Sequence, residues 1–244
     1  MGNRSMQRRR KLDPWVLAFA CVLPTLVTLV YFVWAASWPS GVQQVVFSIA
    51  KVVQFSLPVV WTAVAWRERL GWPRWSTRGT GLGIAFGLAV AAALWLLYWG
   101  LQGQPLLEQA LQPIREKIRE MGVDSPVGFI ALGVFYSLFH SLLEEYYWRW
   151  FVFSGMRQYV NLSWAIVISS LAFAAHHVVV LWAYFAHSPG MTIFLALCVA
   201  MGGGVWAWLY SRSESIFPAW ISHLLVDAAI FSLGFHLAGP LFSG

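Results

Sequence analysis

The chain has 244 residues, 59% of them hydrophobic and only 11% charged, where ordinary soluble domains carry about 25% charged residues. That balance excludes a soluble globular fold and predicts several membrane spans. A net charge of +6 is small enough to be loop charge that sets topology, so no nucleic-acid partner is expected.

In chain order, a basic tail, MGNRSMQRRRKLD, comes first. An apolar run from about Pro14 to Trp38 follows. It is too long for a signal-peptide core and no small-residue cleavage site ends it, so it predicts a retained first span. The MGNRS start resembles a myristoylation site, but a chain of many spans gains little from an acyl anchor. Further apolar runs cover 43–66, 80–101, 127–148, 163–186, 190–211 and 216–238. Each is long enough to cross about 30 Å of hydrocarbon as a helix. None shows the period-2 alternation of a barrel strand. The segment 108–122 differs: Leu111, Ile114, Ile118 and Met121 recur at helical spacing with charges between them. It predicts an amphipathic helix lying at the membrane interface. The expected fold class is all-α, a polytopic membrane helix bundle of about seven transmembrane helices plus one amphipathic interfacial helix. A single integral membrane domain over 1–244 is expected. Cys21 and Cys198 lie in apolar runs without ligand spacing and read as small buried hydrophobes.

Loop charges predict the orientation. With the N-terminus cytoplasmic, the inner side holds Arg4, Arg8, Arg9, Arg10, Lys11, Arg67, Arg69, Arg74, Arg78, Arg149, Arg157 and Arg212, which is twelve of sixteen basic residues. The outer side holds Arg115, Lys117 and Arg119, and Lys51, near the start of the second span, is expected to snorkel outward. This asymmetry predicts an integral membrane protein with its N-terminus in the cytoplasm and its C-terminus on the opposite side. In a prokaryote that would be the inner membrane.

Ionisable residues inside the spans point to function, because a carboxylate in hydrocarbon costs a few kcal/mol even on mild insertion scales. In HSLLEEYYWRW (140–150), Glu145 and Arg149 are i and i+4 and can pair. Glu144 lies about 100° around the helix, with His140 one turn back and no cationic partner of its own. LAFAAHHVVV places Phe173 and His177 at i and i+4, with His176 adjacent and its role open. AWISHLLVDAA places His223 and Asp227 at i and i+4. Polar groups at membrane depth usually face one another, so Glu144, His177, His223 and Asp227 are expected to line one cavity. His140, His187 and His236 are isolated and read as non-functional.

EEYYWR (144–149), FAAHH (173–177) and HLLVD (223–227) stand in the order of the three motifs of the CAAX-protease and bacteriocin-processing family, which the chain resembles from about Gly128 to its C-terminus. The resemblance implies an intramembrane endopeptidase with a motif-bearing catalytic core of four spans over 127–238. Its substrate would be a membrane-associated protein or peptide in the lipid bilayer. The implied catalytic residues are Glu144 as the base that activates water, with His177 and His223 polarising water and stabilising the oxyanion. Glu145, Arg149, Asp227 and Phe173 are supporting residues. Asp227 stands where the family more often carries Asn, and an ionised Asp lacks the donor that Asn offers. No cofactor is expected; were zinc bound, Glu144, His177 and His223 would be its ligands. GxSxG, HExxH and a cysteine near the histidines are all absent, so serine, zincin and cysteine chemistry lack their central residue. The alternative is a non-catalytic membrane scaffold or immunity protein on the same fold. A proton-relay transporter should show inverted repeats, which the chain lacks.

Overall fold

A computed structural model describes residues 11–65, 67 and 75–242. Arg4, Arg8, Arg9, Arg10, Arg69, Arg74 and the MGNRS start lie outside them. Seven helices are long and apolar enough to span: α1 (Pro14–Trp34), α2 (Ser40–Ala65), α3 (Thr80–Leu101), α5 (Pro126–Met156), α6 (Leu162–Phe185), α7 (Pro189–Ser213) and α8 (Phe217–Leu241). The amphipathic α4 (Pro105–Glu120) lies between α3 and α5. No strand occurs among the described residues. The chain is a polytopic membrane helix bundle, as its hydropathy predicts.

The starts of these helices are written locally. Asp13 accepts from the Trp15 N–H at 2.8 Å, Ser125 from Gly128 at 3.1 Å and Asn161 from Trp164 at 3.0 Å. Proline stands in the first turn of α1, α4, α5, α7 and α8. A side-chain acceptor and a fixed φ suit the unpaired N–H groups of a first turn. Trp15, Val52, Val64, Leu96 and Val127 stay exposed on the bundle's outside, the surface that lipid covers.

The two ends of the bundle carry different residues. At one end, α4 joins α2, α8 and the connection between α6 and α7. Arg115 donates to the Leu237 carbonyl at 3.2 Å and Lys117 to Gln43 Oε1 at 3.3 Å. Gln44 donates to the Glu120 carbonyl at 2.9 Å. His187, between α6 and α7, lies 3.3 Å from the Leu106 carbonyl. Leu107, Ala110 and Ile118 are buried beneath. At the other end, Tyr159 donates to the Leu12 carbonyl, Leu12 donates to Gln158 at 2.8 Å, and Trp75 packs on Phe217 with ring centroids 4.4 Å apart. Lys11, Arg78, Arg157 and Arg212 lie at this second end, as the charge count expects.

Close helix packing depends on small residues. α6 runs along α7, and α3 along α8. A Cβ on Gly87 would come 2.9 Å from both Leu225 Cβ and the Ser222 carbonyl. That carbonyl belongs to backbone, which cannot rotate away. Gly87→Leu is expected to push α8, and with it His223, off its seat at a cost of about 1–3 kcal/mol. Thermal unfolding in detergent measures this, and an unchanged midpoint would show that α3 and α8 are not in tight contact.

Candidate active site

α5 supplies the carboxylates through an unusual local structure. Glu144 and Glu145 end a short α-helical stretch, Ser141–Glu145, between π-helical segments Tyr136–His140 and Tyr146–Phe153. Single π turns inside α-helices occur often at functional sites. Here the Ser141 hydroxyl donates back to the Ser137 carbonyl. From Glu144 to Met156 most side chains are buried, including Tyr147, Trp148, Arg149 and Phe151. This part of α5 runs through the middle of the bundle.

Glu145 is an anchor. Its Oε1 accepts from His223 Nδ1 at 2.9 Å, and its Oε2 lies 3.1 Å from Arg149 Nε. The Nε–H is not aligned on that oxygen, so the second contact is a close ion pair without a linear hydrogen bond. The guanidinium packs on the rings of Phe173 and Trp206, with its carbon 4.9 and 5.2 Å from their centroids. Its Nη2 donates to the Gly203 carbonyl at 3.4 Å. Arg149 is only 2% exposed. The reading of Arg149 as an inner-interface, topology-setting charge is therefore corrected: its compensation comes from Glu145, α6 and α7.

Glu144 is set differently. Its Oε1 lies 4.0 Å from His140 Nε2 and 3.6 Å from His176 Nε2, and its Oε2 lies 3.8 Å from His223 Nε2. Among the described residues no lysine or arginine comes within 4.0 Å of it. His223 is held from three directions: by Glu145, by Asp227 Oδ1 at 3.7 Å from Nε2, and by the Trp206 ring, stacked at 4.1 Å and 15°. An ionised Glu145 can only accept, so the Nδ1 of His223 carries a proton and its Nε2 faces Glu144 and Asp227. The Trp206 indole is itself fixed by donation to Ser222 at 3.0 Å.

On α6, His177 Nδ1 lies 3.1 Å from the Phe173 carbonyl. The carbonyl is an acceptor, so Nδ1 is the protonated nitrogen and Nε2 stays free to accept. His176 stacks on Trp148, 5.9 Å away and nearly parallel. Phe173 is the hub, packed against Trp148, His176, His177, Trp206 and His223.

Every predicted site residue thus gathers in one cluster. The sequence leaves the role of His176 open and sets His140 aside, yet both face Glu144. The i−4 spacing of His140 to Glu144 was the available signal. Trp148 and Trp206, which brace the imidazoles, carried no signal beyond their apolarity. His236, bonded to the Tyr98 hydroxyl at 2.9 Å, and His187 lie near the α4 end. Glu144, His176 and His177 bring one ligand atom each within 4.8 Å of one another. This differs from the expected zinc set, with His176 in the place of His223. The donor types suit zinc, and the Phe173 carbonyl on His177 Nδ1 is the kind of outer contact that orients a ligating imidazole.

A buried carboxylate and three imidazoles, contributed by three spans, define a membrane-embedded helical protein with an acid–base centre. The family described as type II CAAX prenyl endopeptidase Rce1-like matches residues 126–229. That match agrees with the resemblance of the motif-bearing segment to the CAAX-protease and bacteriocin-processing family. Neither the curated proteins nor the solved structures gave a match. The description of that family is one of a protease, and the seven apolar spans make the chain an integral membrane protein.

Proposed function

We propose that the chain is an intramembrane endopeptidase that hydrolyses a peptide bond of a membrane-associated protein or peptide with a water activated by Glu144. The observation that carries this reading is the setting of Glu144. Its oxygens face three imidazole Nε2 atoms at 3.6–4.0 Å, while the arginine one turn on is taken by Glu145. Such separations are longer than direct hydrogen bonds, so the carboxylate is not tied to one neighbour and can bind a water with the imidazoles beside it. Glu144 removes a proton from that water as general base. The carbonyl under attack develops negative charge on its oxygen, which imidazole N–H donors meet. His177 and His223 are assigned this role in their imidazolium forms, in which Nε2 carries a proton while Nδ1 keeps its contact to the Phe173 carbonyl or to Glu145, with His176 beside them. Glu145 fixes the orientation of His223, as the buried carboxylate of a catalytic triad orients its histidine. Asp227 assists from one turn along α8 by orienting His223, which needs no donor from it. Glu144, His176 and His177 would hold zinc if the metal-dependent form of this chemistry applies, and zinc would polarise the carbonyl.

The test is turnover. The reconstituted full chain is incubated with prenylated CAAX peptides and with other membrane-tethered peptides, and the products are read by mass spectrometry. One new internal cleavage, lost in Glu144→Ala, is expected. No cleavage of any of them, or cleavage that survives the substitution, would favour the scaffold alternative.

The Lys11, Arg157 and Arg212 end is assigned to the cytoplasm by the positive-inside rule. In a chain freed of Cys21 and Cys198, Arg157→Cys is expected to react with a membrane-impermeant thiol reagent from the cytoplasmic face only. Glu116→Cys should react only from the other face. The reverse pattern would invert the topology.

A further inference from the structure

The second helix brings a cation to this cluster from outside the family match. Lys51 stands eleven residues into α2, near mid-span and not near its start. It does not snorkel outward. Its ammonium lies over the rings of Phe47 and Phe55, 5.6 and 5.4 Å from their centroids. Phe55 packs against the rings of His140 and Tyr147 at 5.7 and 6.2 Å. The ammonium is close enough to interact electrostatically with Glu144, His140 and His176. Yet among the described residues no carboxylate comes within the 4.0 Å of an ion pair. A lysine at membrane depth is costly and normally has a partner.

A second group on the same helix also lacks a partner. Gln54 is three residues on, about 60° around the helix from Lys51. It is fully buried, and neither its amide nitrogen nor its oxygen makes a hydrogen bond. Buried amides are nearly always satisfied. An ammonium and an N–H donor on neighbouring rows of one helix are what a carboxylate takes. The amide oxygen remains to accept a peptide N–H.

We propose that Lys51 and Gln54 form a carboxylate-binding subsite that holds an anionic group of the peptide substrate beside Glu144. This rests on the protease reading above and names the substrate class: a peptide with a carboxylate near the bond to be cut. The carboxylate is either the peptide's own C-terminus or an acidic side chain.

Binding is measured on the full chain in nanodiscs carrying Glu144→Gln, so that it does not depend on turnover. Three prenylated peptides of one sequence are compared: the free acid, the C-terminal amide, and the amide with one Gln next to the bond replaced by Glu. The free acid or the Glu peptide is expected to bind better than the plain amide, and whichever does identifies the source. Lys51→Met should weaken that peptide about tenfold or more, leave the plain amide nearly unchanged, and be rescued in part by Lys51→Arg. Gln54→Leu should give a smaller loss in the same direction. Equal binding of all three peptides, or a Lys51→Met loss shared equally by them, overturns the subsite. Selective binding with no turnover by the unsubstituted chain would instead sink the protease reading and leave the subsite standing.

Discussion

Glu144→Gln is expected to reduce peptide-bond hydrolysis by about a hundredfold to ten-thousandfold, the usual contribution of a general base. The substitution keeps the shape of the side chain and removes only its ability to take a proton. Fold stability should change little, because among the described residues Glu144 has no lysine or arginine within 4.0 Å. Its neighbours at that distance are imidazoles at 3.6–4.0 Å, so neutralising it strands no paired cation. Glu145→Gln should behave in the opposite way. It weakens contacts to His223 and Arg149 at 2.9 and 3.1 Å, and so should lower stability as well as rate. Initial rates by mass spectrometry, with thermal unfolding on the same preparations, separate the two carboxylates. A Glu144→Gln protein working at a tenth of the normal rate would remove Glu144 from the role of base.

The fold was legible because a spanning helix is written in its own residues. The seven apolar runs and the amphipathic segment need no partner to be recognised, and most helix starts carry their own cap or proline. The exception is the end of α5. The run was expected to stop at 148, whereas the helix continues to Met156, because Arg149 reads as a boundary charge when its neighbours are unknown. What makes it tolerable at depth, the faces of Phe173 and Trp206 and the Gly203 carbonyl, comes from helices far away in sequence. Depth depends on the same boundary: counted from an end at Arg149, Glu144 would lie only about 7–8 Å in. Counted from the observed ends, Glu144 is twelve residues before Met156 and His177 fifteen after Leu162, about 18 and 22 Å, within one turn of each other. His223 is only six residues into α8. That helix, however, starts from Ser215 and Ile216, which are already buried inside the bundle.

The site was legible where a motif fixed it and illegible where only packing did. Glu144, Glu145, Arg149, Phe173, His177, His223 and Asp227 lie at i, i+4 spacings or in motifs, and they gather as expected. His176 was left open because adjacent residues on a helix point about 100° apart. The approach of α6 to α5 brings both imidazoles near Glu144, and that approach is a tertiary fact. The π segments on either side of Glu144 also escape a 3.6-residue reading. Lys51 escaped because a lone lysine in a span is ordinarily taken to reach for the nearer interface. Its true direction depends on Phe47, Phe55 and a carboxylate ninety residues away.

Arg149→Ala is expected to be the most destabilising single change in the cluster. It removes the cation from Glu145 Oε2 at 3.1 Å, the stacking against Phe173 and Trp206, and the donor to the Gly203 carbonyl. Breaking a buried pair from one side costs about 3–5 kcal/mol, because the remaining charge is uncompensated. For a chain of this length each kcal/mol corresponds to roughly 2–4 °C, so the midpoint should fall by about 6–20 °C. The double variant Glu145→Gln/Arg149→Gln should recover part of this loss, since it leaves no unpaired charge. It should not recover activity, because Glu145 also holds His223 Nδ1 at 2.9 Å, and a glutamine amide can turn its nitrogen to that position. Stability and rate therefore part company in the double variant. An Arg149→Ala protein unfolding at the unsubstituted temperature would mean that the arginine is solvated after all. A double variant that recovers both stability and rate would mean that Glu145 serves the fold alone.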